Sequence, residues 1–186
     1  TSIAVTTDDS NDEIVYASSM GDGVIQYKNG TPVQSYNEKN AFKETAGGYG
    51  SGYCYIDGLA FDKNGNLWMT SSEVNHAVLV LDKAGAWHRL DIEQLRGVYT
   101  INDILITSTN DKWIYVPRNT PKLVMIPNSE SLDEVSSYEF TTLIDTDGKE
   151  LTPSNYTCVA EDKDGYIWVG TNRGAVYFTK PRISSA

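Results

Sequence analysis

Two histidines, two cysteines and several acidic turns are the parts of this chain equipped for chemistry. His76 closes the run Glu73-Val74-Asn75-His76, in which a carboxylate and an imidazole three residues apart offer an acid and a base. His88 stands in Trp87-His88-Arg89-Leu90 and reads as a solvated residue of a polar outer strand. Neither histidine belongs to a nucleophile or zinc motif. Asp162-Lys163-Asp164-Gly165 begins like a calcium loop but lacks the third oxygen ligand at the required spacing and the distal bidentate Glu. It reads as a hairpin turn, as does Asp145-Thr146-Asp147-Gly148, and no metal or cofactor is expected. Cys54 and Cys158 each lie a few residues before an Asp-Lys-x-Gly turn, in copies of a repeat with another copy between them. That separation exceeds the roughly 7 Å Cα reach of a disulfide. Two buried free thiols are expected.

The elements that must position these groups recur. Asp62-Lys63-Asn64-Gly65-Asn66-Leu67-Trp68 reappears 100 residues later as Asp162-Lys163-Asp164-Gly165-Tyr166-Ile167-Trp168. A degraded copy surrounds Asn110-Asp111-Lys112-Trp113, and aligning the turns puts Val15 at the Trp position of the first copy. The spacings between these four positions are 53, 45 and 55 residues. Periods of about 40 to 50 residues with about four strands each describe propeller blades. The expected fold is an all-β β-propeller of four blade-like repeats of about four antiparallel strands, at residues 1–36, 53–91, 100–143 and 154–186. Residues 37–52, with a glycine-rich end, form an inter-blade loop, and 92–97 a brief helical turn. In such a fold the first strand of each blade lines a central channel. Trp68, Trp113 and Trp168 then fill equivalent sites between blades, above turns that need Gly65 and Gly165. The fourth repeat has three clear strands, so either 182–186 supplies a stunted outer strand or the chain is part of a larger ring. An open arc would expose two apolar blade faces and favour self-association.

In a propeller the connections between second and third strands share one face with the loops between blades. A binding site on that face would draw on Tyr49, Tyr53, Glu73, Asn75, His76, Arg118, Asn172 and Arg173. Among the twelve tyrosines, Tyr16, Tyr27, Tyr115 and Tyr177 fall within strands and serve packing. Tyr49, Tyr53 and Tyr55 cluster beside the glycine-rich loop, which offers aromatic faces to a sugar ring, but packing is the favoured reading of the tyrosines.

Composition narrows the partners. The 186 residues make one compact unit, and 40% hydrophobic content suffices for a core. A net charge of -10 with no clustered basic residues opposes nucleic acid and anionic membranes as partners. No run approaches the roughly 20 apolar residues of a membrane span. Thr1-Ser2-Ile3-Ala4 lacks the basic start of a signal peptide, which reads as a mature or excised segment.

The fourth copy, Asp162-Lys163-Asp164-Gly165-Tyr166-Ile167-Trp168-Val169-Gly170-Thr171-Asn172-Arg173-Gly174-Ala175-Val176, resembles the two-component-regulator propeller repeat. That repeat reads D-x-x-G-aliphatic-W-aliphatic-G-T-x-x-G-aliphatic, and this chain has one extra residue before the first aliphatic position. Met69-Thr70-Ser71 and Ile114-Tyr115-Val116 replace Val169-Gly170-Thr171 in the second and third copies, so the resemblance implies blades and no shared ligand. Such repeats build periplasmic sensors of hybrid histidine kinases in Bacteroidetes and stand-alone envelope propellers, including one in the type IX secretion machinery. Their propellers commonly have about seven blades. The repeat motif is structural and brings no catalytic residues. The resemblance implies a non-catalytic, ligand-sensing or protein-docking segment of a bacterial cell-envelope protein, periplasmic or envelope-located, whose partner is a small molecule, a glycan or another envelope protein. The rival expectation is a propeller lyase or hydrolase using His76 with Glu73 as its acid/base pair.

Overall fold

The computed structural model describes residues 2–46, 52–144 and 147–178. Within them the chain forms antiparallel sheets whose strands pair in sequence order, except that Met20 and Gly21 also pair with Tyr55 and Cys54 and so join the first sheet to the second. The first holds β1 (Ile3–Thr7), β2 (Glu13–Gly21), β3 (Gly23–Lys28) and β4 (Thr31–Tyr36). The second holds β5 (Cys54–Phe61), β6 (Leu67–Ser71), β7 (Val78–Leu81) and β8 (Trp87–Leu90), and the third β9 (Ile104–Ile106), β10 (Lys112–Val116), β11 (Lys122–Ile126) and β12 (Tyr138–Phe140). After a small hairpin of β13 (Leu143–Ile144) and β14 (Glu150–Leu151), the fourth sheet pairs β15 (Tyr156–Glu161), β16 (Ile167–Thr171) and β17 (Gly174–Phe178). This is an all-β propeller segment. The pairing of β13 with β14 brackets the turn expected at 145–148, of which 145 and 146 lie outside the described residues, and the helical turn expected at 92–97 is a single 3-10 turn, Glu93–Leu95. Residues 182–186, a candidate outer strand, lie outside the described residues.

The repeat is fixed by its turns. Asp62 N–H donates to Asn66 O, and the same bond runs from Asp8 to Asp12, Thr107 to Asp111 and Asp162 to Tyr166. Asp62 Oδ1 accepts from the N–H groups of Asn64 and Asn66, and Asp162 Oδ1 likewise from Asp164 and Tyr166. Gly65 and Gly165 hold φ of 84° and 81°, a left-handed conformation that disfavours any residue with a Cβ. Counting on from each turn to the indole position gives Trp68, Trp113 and Trp168, and in the first sheet Ile14. Val15 is therefore not the counterpart of the tryptophans. It lies one residue further along β2, and alternation turns it to the opposite face.

Trp68 and Trp113 each lean on the sheet that follows. Trp68, 1% exposed, joins Val78, Val80 and Leu90 against Ile104, Ile114, Val124 and Ile126 of the third sheet. Trp113, 0% exposed, joins Tyr115, Leu123 and Met125 against Tyr156, Ile167 and Val169 of the fourth. A third cluster joins Ala4 and Val24 of the first sheet to Ile56, Met69 and Leu79 of the second. Strands β6, β7 and β10, covered on both faces, are accordingly buried along their whole length, the burial expected of near-continuous apolar runs. Trp168 departs from the expectation: it is 41% exposed, in contact with Tyr177 at 4.9 Å between ring centroids. Its face meets no further sheet among the described residues. Ile3 and Val5 are exposed on the outer face of the first sheet.

Cys54 is buried and Cys158 is exposed, and neither forms a disulfide. The expectation of two buried thiols fails for Cys158, because β15 belongs to the last described sheet and lacks the cover that β5 receives from both neighbours. His88 is also corrected. It is half-buried, with Nδ1 2.8 Å from Asp133 Oδ1 and Nε2 3.2 Å from Asp82 Oδ2. Those carboxylates raise its pKa above the ordinary histidine value, the bond to Asp133 most.

Candidate functional site

Three connections meet at one edge of the second sheet: the described residues before β5 (37–46 and 52–53), 72–77 between β6 and β7, and 91–103 before β9. The backbone ties the last two together, Glu73 N–H donating to Val98 O and Gly97 N–H to Val74 O, both at 2.8 Å, while Ala46 N–H donates to Tyr53 O at 2.9 Å within the first. Glu73 adopts φ of 63°, uncommon for a residue other than glycine, which fixes the turn that presents it. Its Oε1 is buried with no hydrogen-bond partner among the described residues.

Around Glu73 the edge is rich in phenols and carboxylates. Tyr53 packs edge-on against Tyr55 at 6.3 Å. Burial raises the Tyr55 hydroxyl, and the negative charges and phenols of Asp57, Tyr53, Glu73 and Tyr99 raise it further, which places all five groups in one neighbourhood. Asp57 sits where β5 bulges between Ile56 and Leu59. Burial pushes its carboxyl up to about 7; the hydrogen bond from Ser72 offsets part of this, and nearby Asp103 adds to it. Ser72 Oγ donates to Asp57 Oδ2 at 2.6 Å and accepts from Ile101 N–H at 2.8 Å, so this carboxyl is coupled to the seam between the second and third sheets. Gly58 makes the seam close: a Cβ there would stand 2.8 Å from Ile104 N and 2.9 Å from Asp103 Oδ1.

His76 is committed elsewhere. Its Nδ1 pairs with Glu44 Oε1, while Glu44 Oε2 accepts from the backbone N–H groups of Asn75 (2.6 Å) and His76 (3.2 Å). Partial burial raises the Glu44 carboxyl, but these bonds outweigh it and hold the group below its ordinary value. The acid/base pair of His76 with Glu73 is thus not formed. The loop before β5 swings Glu44 under the imidazole, and Glu73 turns inward with its left-handed backbone. Glu44 holds the 72–77 turn in place.

The remaining expected residues divide. Arg118 borders a cleft of about 440 Å³ with Glu93, Arg96, Tyr99 and Lys122, and through Tyr99 it adjoins the tyrosine edge. Asn172 caps its own sheet, its Oδ1 accepting from Ser154 N–H at 3.0 Å and Asn155 N–H at 3.2 Å. Arg173 is an exposed turn residue whose N–H donates to Thr171 Oγ1. No described contact links Asn172 or Arg173 to the Tyr53 edge, which lies two sheets away. Tyr49 falls outside the described residues. Glu44, Asp57 and Tyr99 were missed. Asp57-Gly58 inside an otherwise apolar strand was a readable mark of a bulge, whereas nothing local singles out Glu44 or Tyr99.

Chemically, this edge offers aromatic faces, carboxylates and a group that changes charge near neutral pH. Those are the means of binding a ligand. A nucleophile aligned with a base and an oxyanion site is not found among the described residues.

Fold and repeat together define the class: a β-propeller segment in which the second and third sheets each press an indole on the next. Residues 150–173 match the family model described as two component regulator propeller. Among solved structures it is similar to PorZ, described as an essential bacterial surface component of the type IX secretion system of Porphyromonas gingivalis. That likeness has a TM-score of 0.81 at 19% identity and covers 94% of this chain and 24% of that one. It is also similar to the extracellular domain of the one component system BT4673 from B. thetaiotaomicron, with a TM-score of 0.65, 16% identity, and 98% and 22% coverage. The extracellular domain of the hybrid two component system BT3049 from the same organism gives a TM-score of 0.50 and 16% identity, with 95% and 27% coverage. The chain thus spans about a quarter of the length of these relatives. No curated protein matches the sequence.

Proposed function

We propose that this chain is a non-catalytic β-propeller segment of a bacterial cell-envelope protein, and that it binds a small molecule, glycan or envelope protein through the edge formed by Tyr53, Tyr55, Glu73 and Tyr99. One observation carries the reading: the 72–77 and 91–103 connections are bonded backbone to backbone, and the Glu44 side chain ties the 72–77 turn to the segment before β5 through Asn75 and His76, giving a fixed edge bearing phenols and carboxylates. Neighbours that are surface or extracellular propellers support the envelope setting. The open outer faces, with Trp168 and Tyr177 at one end and Ile3 and Val5 at the other, support association with a further sheet or a second copy.

The test is binding of the labelled chain to arrayed bacterial polysaccharides and to detergent-solubilised envelope proteins. Tyr55→Ala and Glu73→Ala are expected to weaken capture at least tenfold, and Asn172→Ala to leave it unchanged. Cleavage of a polysaccharide with a pH profile set by one group near about 6.5, abolished by His76→Ala, would overturn the reading.

A further inference from the structure

The cleft of about 440 Å³ that Arg118 borders lies between two fixed walls. One is the 93–99 part of the connection before β9, held by the backbone bonds from Glu73 N–H to Val98 O and from Gly97 N–H to Val74 O. The other is the β10–β11 turn, Pro117-Arg118-Asn119-Thr120-Pro121, in which two prolines fix their own φ and Asn119 is left-handed at 69°. Lys122 Nζ donates to Gln94 O at 3.1 Å and joins the walls. The volume falls in the range of roughly 300–1,000 Å³ that small-molecule sites occupy.

Four of the charged groups around this cleft satisfy one another. Arg96 donates to both oxygens of Asp91, from Nε at 2.6 Å and from Nη2 at 2.5 Å, and Lys122 Nζ donates to Glu139 Oε2 at 2.9 Å. Two are left over, one on each wall. Arg118 forms no hydrogen bond or ion pair with any described residue. Glu93 adds to the field on Arg96 without bonding to it. Both side chains are exposed, and so is Tyr99, at 60%, on the same wall as Glu93. A Cβ built on Gly97 of that wall would meet nothing within 4 Å, so the space beside these groups is open.

We infer that this cleft binds a small zwitterion of the α-amino acid class, whose carboxylate accepts from the Arg118 guanidinium, whose ammonium donates to Glu93 and whose side chain lies against the Tyr99 ring. The planar fork of a guanidinium matches a carboxylate. An anion alone would meet the like charge of Glu93 in the same cleft, and a cation alone that of Arg118. A neutral ligand would strip water from both ions and give neither a partner. A zwitterion answers both, and having no net charge it is not opposed by the -10 of the chain. The cleft shares Tyr99 with the edge described above but not Tyr53, Tyr55 or Glu73, so the inference does not rest on the function proposed there.

The test is an amide-proton NMR titration of the full chain labelled with nitrogen-15, read at Gly97, Tyr99 and Asn119. The probes are free L-phenylalanine, phenylpropanoate, which lacks the ammonium, and phenethylamine, which lacks the carboxylate. Free phenylalanine is expected to shift these signals saturably in the millimolar range, as suits a ligand of so few atoms, and each truncated probe to bind at least tenfold more weakly. Arg118→Gln and Glu93→Gln, both at exposed positions where substitution spares the fold, should each weaken phenylalanine at least tenfold. Tyr55→Ala should leave its affinity unchanged, which separates this cleft from the tyrosine edge. The absence of a saturable shift would overturn the inference, as would a truncated probe that binds as tightly as phenylalanine, an affinity unchanged in either charge variant, or binding lost in Tyr55→Ala.

Discussion

Trp68→Ala tests the packing scheme most directly. The indole is 1% exposed, its Nε1 bonds the buried Asp62 carboxylate at 2.9 Å, and the Lys112 ammonium sits 4.4 Å above its ring. Removing a buried aromatic of this size costs about 3–5 kcal/mol. Losing a hydrogen bond to a charged group, and the ring beneath a cation whose pKa burial has already lowered, pushes the cost to the upper end of that range or beyond. Trp168 makes the same bond to Asp162 from an open face, and its truncation forfeits only part of the burial, about 1–2 kcal/mol. In urea, with a slope of about 2–3 kcal/mol per molar, Trp68→Ala should lower the midpoint by about 2 M and Trp168→Ala by less than about 1 M. Equal shifts for the two variants would refute the assignment of Trp168 to an uncovered face. A midpoint for Trp168→Ala that varies with protein concentration would show that a second copy covers it.

Three further outcomes are expected. Asp57 has a folded pKa of about 7 against an ordinary 3.8, so the native state holds more protons than the unfolded one between these values. Stability should therefore fall as pH rises from about 4 to about 7, by at most about 4 kcal/mol for this group, and urea midpoints of Asp57→Asn should lose that part of the slope. Gly58→Ala forces a methyl to within 2.8 Å of Ile104 N and should destabilise by about 1–3 kcal/mol in thermal or urea unfolding; an unchanged midpoint would contradict the close seam. In a thiol-reagent time course on the native chain, Cys158 should react at once and Cys54 only on unfolding, since one is exposed and the other buried.

The recurring Asp-Lys-x-Gly turn and Trp were enough to read off the sheets, because a turn that needs a left-handed glycine and an indole at a fixed offset are local facts of the chain. The same local logic marked the β6–β7 connection as a place where Glu73, Asn75 and His76 would be presented. Which groups answer one another there was another matter. Glu44 reaches His76 from 32 residues upstream, Tyr99 approaches Tyr55 from the following loop, and Asp57 acquires its altered acidity only when buried at the seam. Likewise Trp68, Trp113 and Trp168 are indistinguishable by type and offset, yet two are buried and one is exposed. Turn and strand identity come from interactions within a few residues, so the amino-acid order alone determined them; burial, charge and hydrogen-bond partners depend on which sheet lies alongside, and only the assembled fold decides that.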